Sequence, residues 1–130
     1  MNLNFSIVKL SAFAYLVNTL QFVASSATVQ LKLYPSGVCV TDEIALDYHH
    51  TLLYADSQLE NNKVYLSVYG ALKELDDEFG NMSAISSLWT EKALKLSNEW
   101  ANTRRMALVI LENMGEKCKE PSPTTDTFII

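Results

Sequence analysis

The chain is poor in the side chains that most chemistry needs. Its 130 residues include two histidines, two cysteines and four glycines. The histidines are the neighbours His49 and His50. Neighbours on a helix point about 100 degrees apart, so one metal ion cannot be shared between them, even with Asp47 close by. No His-x-x-x-His spacing is present. A Ser-His-Asp site would have to draw on His49 or His50, and nothing marks an activated serine. The run Asp76-Asp77-Glu78 is acidic, but a hard cation needs oxygens that converge from a loop, and this run falls in a helical pattern. It reads as a solvated face. No nucleotide motif stands out. The sequence therefore predicts no enzyme, no cofactor and no metal site.

Positive charge is scarce as well. Ten Lys and Arg face fifteen Asp and Glu, for a net charge of -5. Phosphate binding needs a basic stripe, so nucleic acid is excluded as a partner, and so is an anionic membrane surface. Apolar residues make up 48% of the chain and charged residues 19%. That balance is globular, and the length suits one domain.

The N-terminus has a pattern of its own. Lys9 is followed by an apolar stretch from Leu10 to Ala24 and then by Ser25-Ser26-Ala27. A basic residue, an apolar run and small residues at Ser25 and Ala27 predict a secretory signal over residues 1–27, cleaved after Ala27. The stretch contains Asn18 and Gln21. It is short of the roughly 20 apolar residues of a membrane span, so no stable span is expected. The competing reading is an amphipathic first helix of the fold. Residues 28–40 alternate Val29, Leu31 and Leu33 with polar neighbours. That period predicts an extended lead-in, closed by a turn at Tyr34-Pro35-Ser36-Gly37.

Residues 41–118 carry helical periodicity and predict an all-α domain. Thr41 reads as an N-cap, with Asp42 and Glu43 in the first turn where the helix dipole favours them. Ile44, Tyr48, Leu52, Ala55 and Leu59 share one face, as do Val64, Val68, Leu72, Leu75 and Phe79. Between these runs, at Asn61-Asn62, the helix either breaks or continues with a shifted face. Gly70, inside the second run, suggests close packing against a neighbour. Gly80-Asn81-Met82 reads as a turn and Ser83 as the next cap. Ile85, Trp89, Leu96, Trp100, Ala107, Ile110 and Met114 fit one further long face, closed by Gly115. From Ser97 to Thr103 the pattern is more polar, which allows a second break, near Asn102 in a four-helix form.

Two cysteines, Cys39 and Cys118, bracket this domain. In an exported chain they predict one disulfide. Three antiparallel helices would leave them on the order of 25 Å apart, whereas a bridge needs Cα atoms within roughly 7 Å. The expected architecture is therefore an antiparallel helical bundle closed by that bridge. It is either an up-down-up-down four-helix bundle or a long helical hairpin, and the hairpin would need a partner chain such as a second copy. Either form pairs the first and last helical segments, with Asp56 beside Arg104 and Glu43 beside Lys117. Residues 119–130, rich in Pro, Ser and Thr, predict a flexible tail ending in Phe128-Ile129-Ile130.

Asn81-Met82-Ser83 is an N-glycosylation acceptor. Trp89, Trp100 and the tyrosines Tyr48, Tyr54, Tyr65 and Tyr69 exceed what one narrow core needs, which hints at an interface. Together these features predict a small secreted helical binding protein that meets an extracellular protein or receptor. The alternative is a carrier of small hydrophobic ligands within the bundle.

Overall fold

The computed structural model of the chain describes residues 11–117 and residue 119. Every regular element among them is helical. Helix α1 spans Ala12–Ala24, α2 Ala27–Leu33, α3 Val40–Gln58, α4 Lys63–Met82, α5 Glu91–Leu96 and α6 Asn98–Asn113. A 3₁₀ turn at Ser86–Leu88 lies between α4 and α5. The four long helices form the bundle. α1 packs along both α3 and α6, α6 also packs along α4, and α3 meets α4 more sparsely. The all-helical bundle expected from the periodicity is thus present.

Short polar residues set the helix starts. The Ser11 hydroxyl accepts from the Ala14 amide at 3.1 Å and opens α1. Ser26, Asn62, Thr90 and Ser97 accept in the same way from Val29, Tyr65, Ala93 and Trp100. Each satisfies an amide that the first helical turn leaves without a carbonyl. Gly115, at φ +78°, ends α6 in the left-handed conformation, with the Glu116 amide returning to the Leu111 carbonyl at 2.9 Å. Gly37, at φ +91°, makes the turn before α3.

The largest departure from expectation is α1. Residues 12–24, expected to lie in a leader, are the helix between α3 and α6. Leu16 and Leu20 are fully buried, and Phe22 and Val23 nearly so. The first and last segments of the expected bundle, α3 and α6, therefore do not form its main pair. The pairing of Asp56 with Arg104 fails accordingly. Asp56 accepts from the Tyr65 hydroxyl, and the Arg104 guanidinium donates to the Leu94 carbonyl at 3.1 Å.

Other boundaries move too. Residues 27–33 are helical, not extended, because Ser26 caps them and Gln30 is drawn inside. The Gln30 amide donates to the Phe22 and Val23 carbonyls at 2.9 and 3.1 Å, which closes the open end of α1. Thr41 is buried in the first turn of α3, and Cys39 holds the cap position, its thiol 3.5 Å from the Thr41 hydroxyl and bonded to no amide of the first turn. The chain does break at Asn61-Asn62. The second break comes at Ser97, the first residue of the polar stretch, which ends α5 and caps α6, and Asn102 lies within α6. Helix α4 runs through Gly80-Asn81-Met82, so the expected turn is its last turn.

The thiol of Cys39 is free and exposed. The expected Cys39–Cys118 bridge is therefore not formed. Cys118 itself lies outside the described residues, as do Lys9 and the tail from residue 120 onward.

Candidate functional site

Tyrosine and tryptophan side chains carry several of the bundle's interior polar bonds. The fully buried Tyr48 donates to the Leu72 carbonyl at 2.6 Å, across from α3 to α4. Its ring lies 5.7 Å from that of Phe79, which lies 5.7 Å from that of Trp100. Trp100 donates to the Leu88 carbonyl at 2.7 Å and Trp89 to the Met82 carbonyl at 3.0 Å. With Arg104 on Leu94, these bonds fasten the irregular stretch between α4 and α6. Large rings between α3 and α4 hold the two backbones apart.

The consequence is a groove along the α3–α4 seam with a volume of about 950 Å³. From α3 it is lined by Asp42, Ala45, Leu46 and His49. Those spacings of three, four and seven fall on one helical stripe. From α4 come Asp76, Asp77, Phe79, Gly80 and Asn81, with Ser83 and Trp89 at the far end. Leu46 is 49% exposed, while Phe79 is buried and forms the floor. The His49 Nδ1 lies 3.1 and 3.3 Å from the two Asp76 carboxylate oxygens and bridges the groove. No Lys or Arg is among the lining residues, so of the three carboxylates that face this space only Asp76 has a basic neighbour in it, His49.

The residues singled out in the sequence distribute as follows. His49 enters the groove, whereas His50 is exposed with its ring centroid 6.2 Å from that of His49. Asp47 turns the other way and accepts from Tyr34 at 2.7 Å. Burial pushes the Asp47 carboxyl above its ordinary range, against the opposing effects of the Tyr34 bond and of His50. Asp76 and Asp77 join the groove. No cluster of three or more metal-ligating side chains exists among the described residues. Asn81 lines the groove from the last turn of α4, with the next residue, Met82, buried. Ala27 begins α2, so the Ala27–Thr28 bond lies in a helical turn.

Of the tyrosines expected at an interface, Tyr48 and Tyr65 are buried, Tyr54 is half-buried and Tyr69 is 37% exposed, and none lines the groove, whereas Trp89 does. The stripe of Asp42, Ala45, Leu46 and His49 was not read from the sequence. Its signal was available, since Leu46 and Leu53 lie seven apart on α3, outside the face of Ile44, Tyr48 and Leu52. A smaller hollow of about 250 Å³ opens between α4 and α6, lined by Ala71, Glu74, Arg105, Met106, Val109 and Ile110.

Compared with protein-family models, with curated proteins and with solved structures, the chain finds no match in any of the three. No helix among the described residues is long and apolar enough to cross a membrane.

Proposed function

We propose that this chain is a small helical binding protein that engages a protein partner through the α3–α4 groove. The observation that carries the reading is the groove itself. It is an open hollow of about 950 Å³, with an apolar floor and a polar rim, beside a filled core. Apolar centre and polar rim are the anatomy of protein interfaces. Its volume is at the upper end of the roughly 300–1,000 Å³ of small-molecule pockets, and it is open along its side, which suits a chain segment over an engulfed molecule. The carrier reading has less behind it. The space between the long helices is occupied by Trp100, Tyr48, Leu16, Leu20 and Leu72, all with little or no exposure.

The test is a pair of surface variants, Leu46→Asp and Asp77→Ala, against native protein in nuclear magnetic resonance titrations with candidate partner segments. Perturbations confined to the groove, and lost in Leu46→Asp, support the reading. Perturbations elsewhere on the bundle overturn it.

An extracellular location is part of the proposal and has its own test. The intact mass of protein collected from the medium of expressing cells reads its N-terminus, and any carbohydrate on Asn81, directly. A chain in the medium that keeps α1 supports export of the bundle described above, whereas one starting at Thr28 supports cleavage after Ala27 but leaves without α1, and so overturns this bundle as the exported form. A chain starting at Met1 and confined to the cells overturns it.

A further inference from the structure

The charge and shape of the groove name the chemistry of its occupant. On one side, Asp42 of α3 faces the space. On the other, Asp76 and Asp77 of α4 do so one turn from the helix end. No Lys or Arg lines it, and the one histidine, His49, is already engaged with Asp76, which leaves Asp42 and Asp77 facing the space without a basic partner in its lining. Like charges crowded into a concave surface raise the local potential and favour a cation. The floor between them is Phe79, flanked by Leu46 and Trp89. An occupant must therefore be apolar on one side and cationic along its edges. Two antiparallel helices with a hollow between them accept a third helix laid along the seam, its ridges in their groove.

We propose that the α3–α4 groove takes a basic amphipathic helix of a partner protein, with apolar side chains on Leu46, Phe79 and Trp89 and Lys or Arg side chains toward Asp42, Asp76 and Asp77. The inference rests on the groove reading above and specifies its ligand. Apolar contact supplies most of the affinity, because the charges stand at an exposed rim and are screened by salt. The carboxylates set which helices are admitted.

The experiment uses the full chain and three synthetic helical peptides of about five turns each. One is built of Leu and Lys, one of Leu and Glu, and one of Ser and Lys. Trp89 gives an internal signal, since it lines the groove while Trp100 is fully buried. Saturable binding of the Leu/Lys peptide, one per chain, with a shift in tryptophan emission is expected. Asp76→Asn keeps an acceptor for His49, and Asp77→Asn is exposed. Each should weaken binding by a factor of about two to five. Leu46→Asp should weaken it by about tenfold or more. Unchanged melting temperatures in these variants show that folding is not the cause. Equal binding of the Ser/Lys peptide overturns the proposal, because it reduces the effect to general charge attraction. Equal binding of the Leu/Glu peptide that Leu46→Asp still abolishes overturns the charge preference and leaves the groove reading standing. If no peptide perturbs the groove residues, both fall together.

Discussion

The Tyr48 hydroxyl donates a 2.6 Å hydrogen bond to the main-chain carbonyl of Leu72. This bond ties α3 to α4, which otherwise meet sparsely. Tyr48→Phe keeps the ring against Phe79 and removes only the bond. The expected loss is about 1 kcal/mol, read as a lower denaturation midpoint. Truncation to Ala should cost about 3–5 kcal/mol. The hydroxyl variant should also alter tryptophan emission, because the wall of the groove shifts beside Trp89.

Helix α1 is expected to be indispensable to this bundle. Leu20→Ala should cost about 2–5 kcal/mol. A chain beginning at Thr28 loses Leu16, Leu20, Phe22 and Val23 from the core together. At about 1.5–3 kcal/mol per buried side chain, that loss matches a typical domain's whole stability of about 5–15 kcal/mol. Such a chain should show no cooperative thermal transition by circular dichroism. A sharp transition near that of the full chain would contradict the placement of α1.

The sequence left two readings of residues 12–24 open for a physical reason. An apolar stretch after a lysine has the same composition whether it is a leader or a core helix. The polar residues inside it are the ones that the packed helix accounts for. Thr19 is buried, with its hydroxyl 3.1 Å from that of Thr51, and Gln21 donates to the Lys117 carbonyl at 3.2 Å. Such groups are tolerated in a core only when partnered, and the partners lie far along the chain. The faces of α3 and α4 were legible because each needs only its own spacing, except at the start of α4, where Tyr65 is buried and Val64 is 39% exposed. The same is true of the break at Asn62 and the stop at Gly115. The long face drawn from Ile85 to Met114 was not, since Ser97 divides it. Leu96 is 73% exposed, and Leu94 is buried in its place. The groove was legible only in its parts. The acidic run and His49 were visible, but their meeting across the seam is a tertiary fact.

Gly70 should be replaceable with profit to stability. It is exposed in the interior of α4, and a Cβ added there meets nothing within 4 Å. The close packing expected from its position is absent. Gly70→Ala should therefore stabilise the fold by roughly 0.4–1 kcal/mol. Chemical denaturation measures this, and a destabilised variant would show that a neighbour covers this face.

Asp47 gives the stability a dependence on acid pH. Burial raises its carboxyl above the ordinary value in the folded chain. Between the ordinary and the raised value, the folded state holds more protons than the unfolded one. Stability from this group is therefore fully present below the ordinary carboxylate range and is lost as pH rises through the raised value. Asp47→Asn keeps an acceptor for Tyr34 and cannot ionise. Native protein should lose stability relative to this variant as pH is raised from about 3 toward neutral. Melting temperatures of the two proteins across that range test it.

The alkaline limb follows from the tyrosines. Burial is the main cause that raises Tyr15, Tyr34, Tyr48 and Tyr65 above the ordinary value of 10.0. Nearby carboxylates add to this for Tyr34 and Tyr65, through Asp47 and Asp56. The sign is the same as for Asp47. Stability from these groups is complete below pH 10 and is lost as pH climbs through the raised values. Phenolate absorbance from these four rings should appear together with loss of helical circular dichroism. Their ionisation in a bundle that stays folded would contradict their burial.

Ser83 closes the last turn of α4 by donating to the Gly80 carbonyl at 2.6 Å, while Met82 is held in the core. The Asn81-Met82-Ser83 triplet is thus wound up and its hydroxyl engaged once the helix has formed. Were the chain exported as proposed, a transferase that reads this triplet as an open strand would find it only on the nascent chain. Sugar attachment and helix closure are then rivals in time, and the first to finish shuts out the other. The fraction of molecules carrying a glycan would serve as a clock, recording how long this stretch stayed unwound during synthesis. Faster-folding variants should emerge with fewer glycans, and slower ones with more.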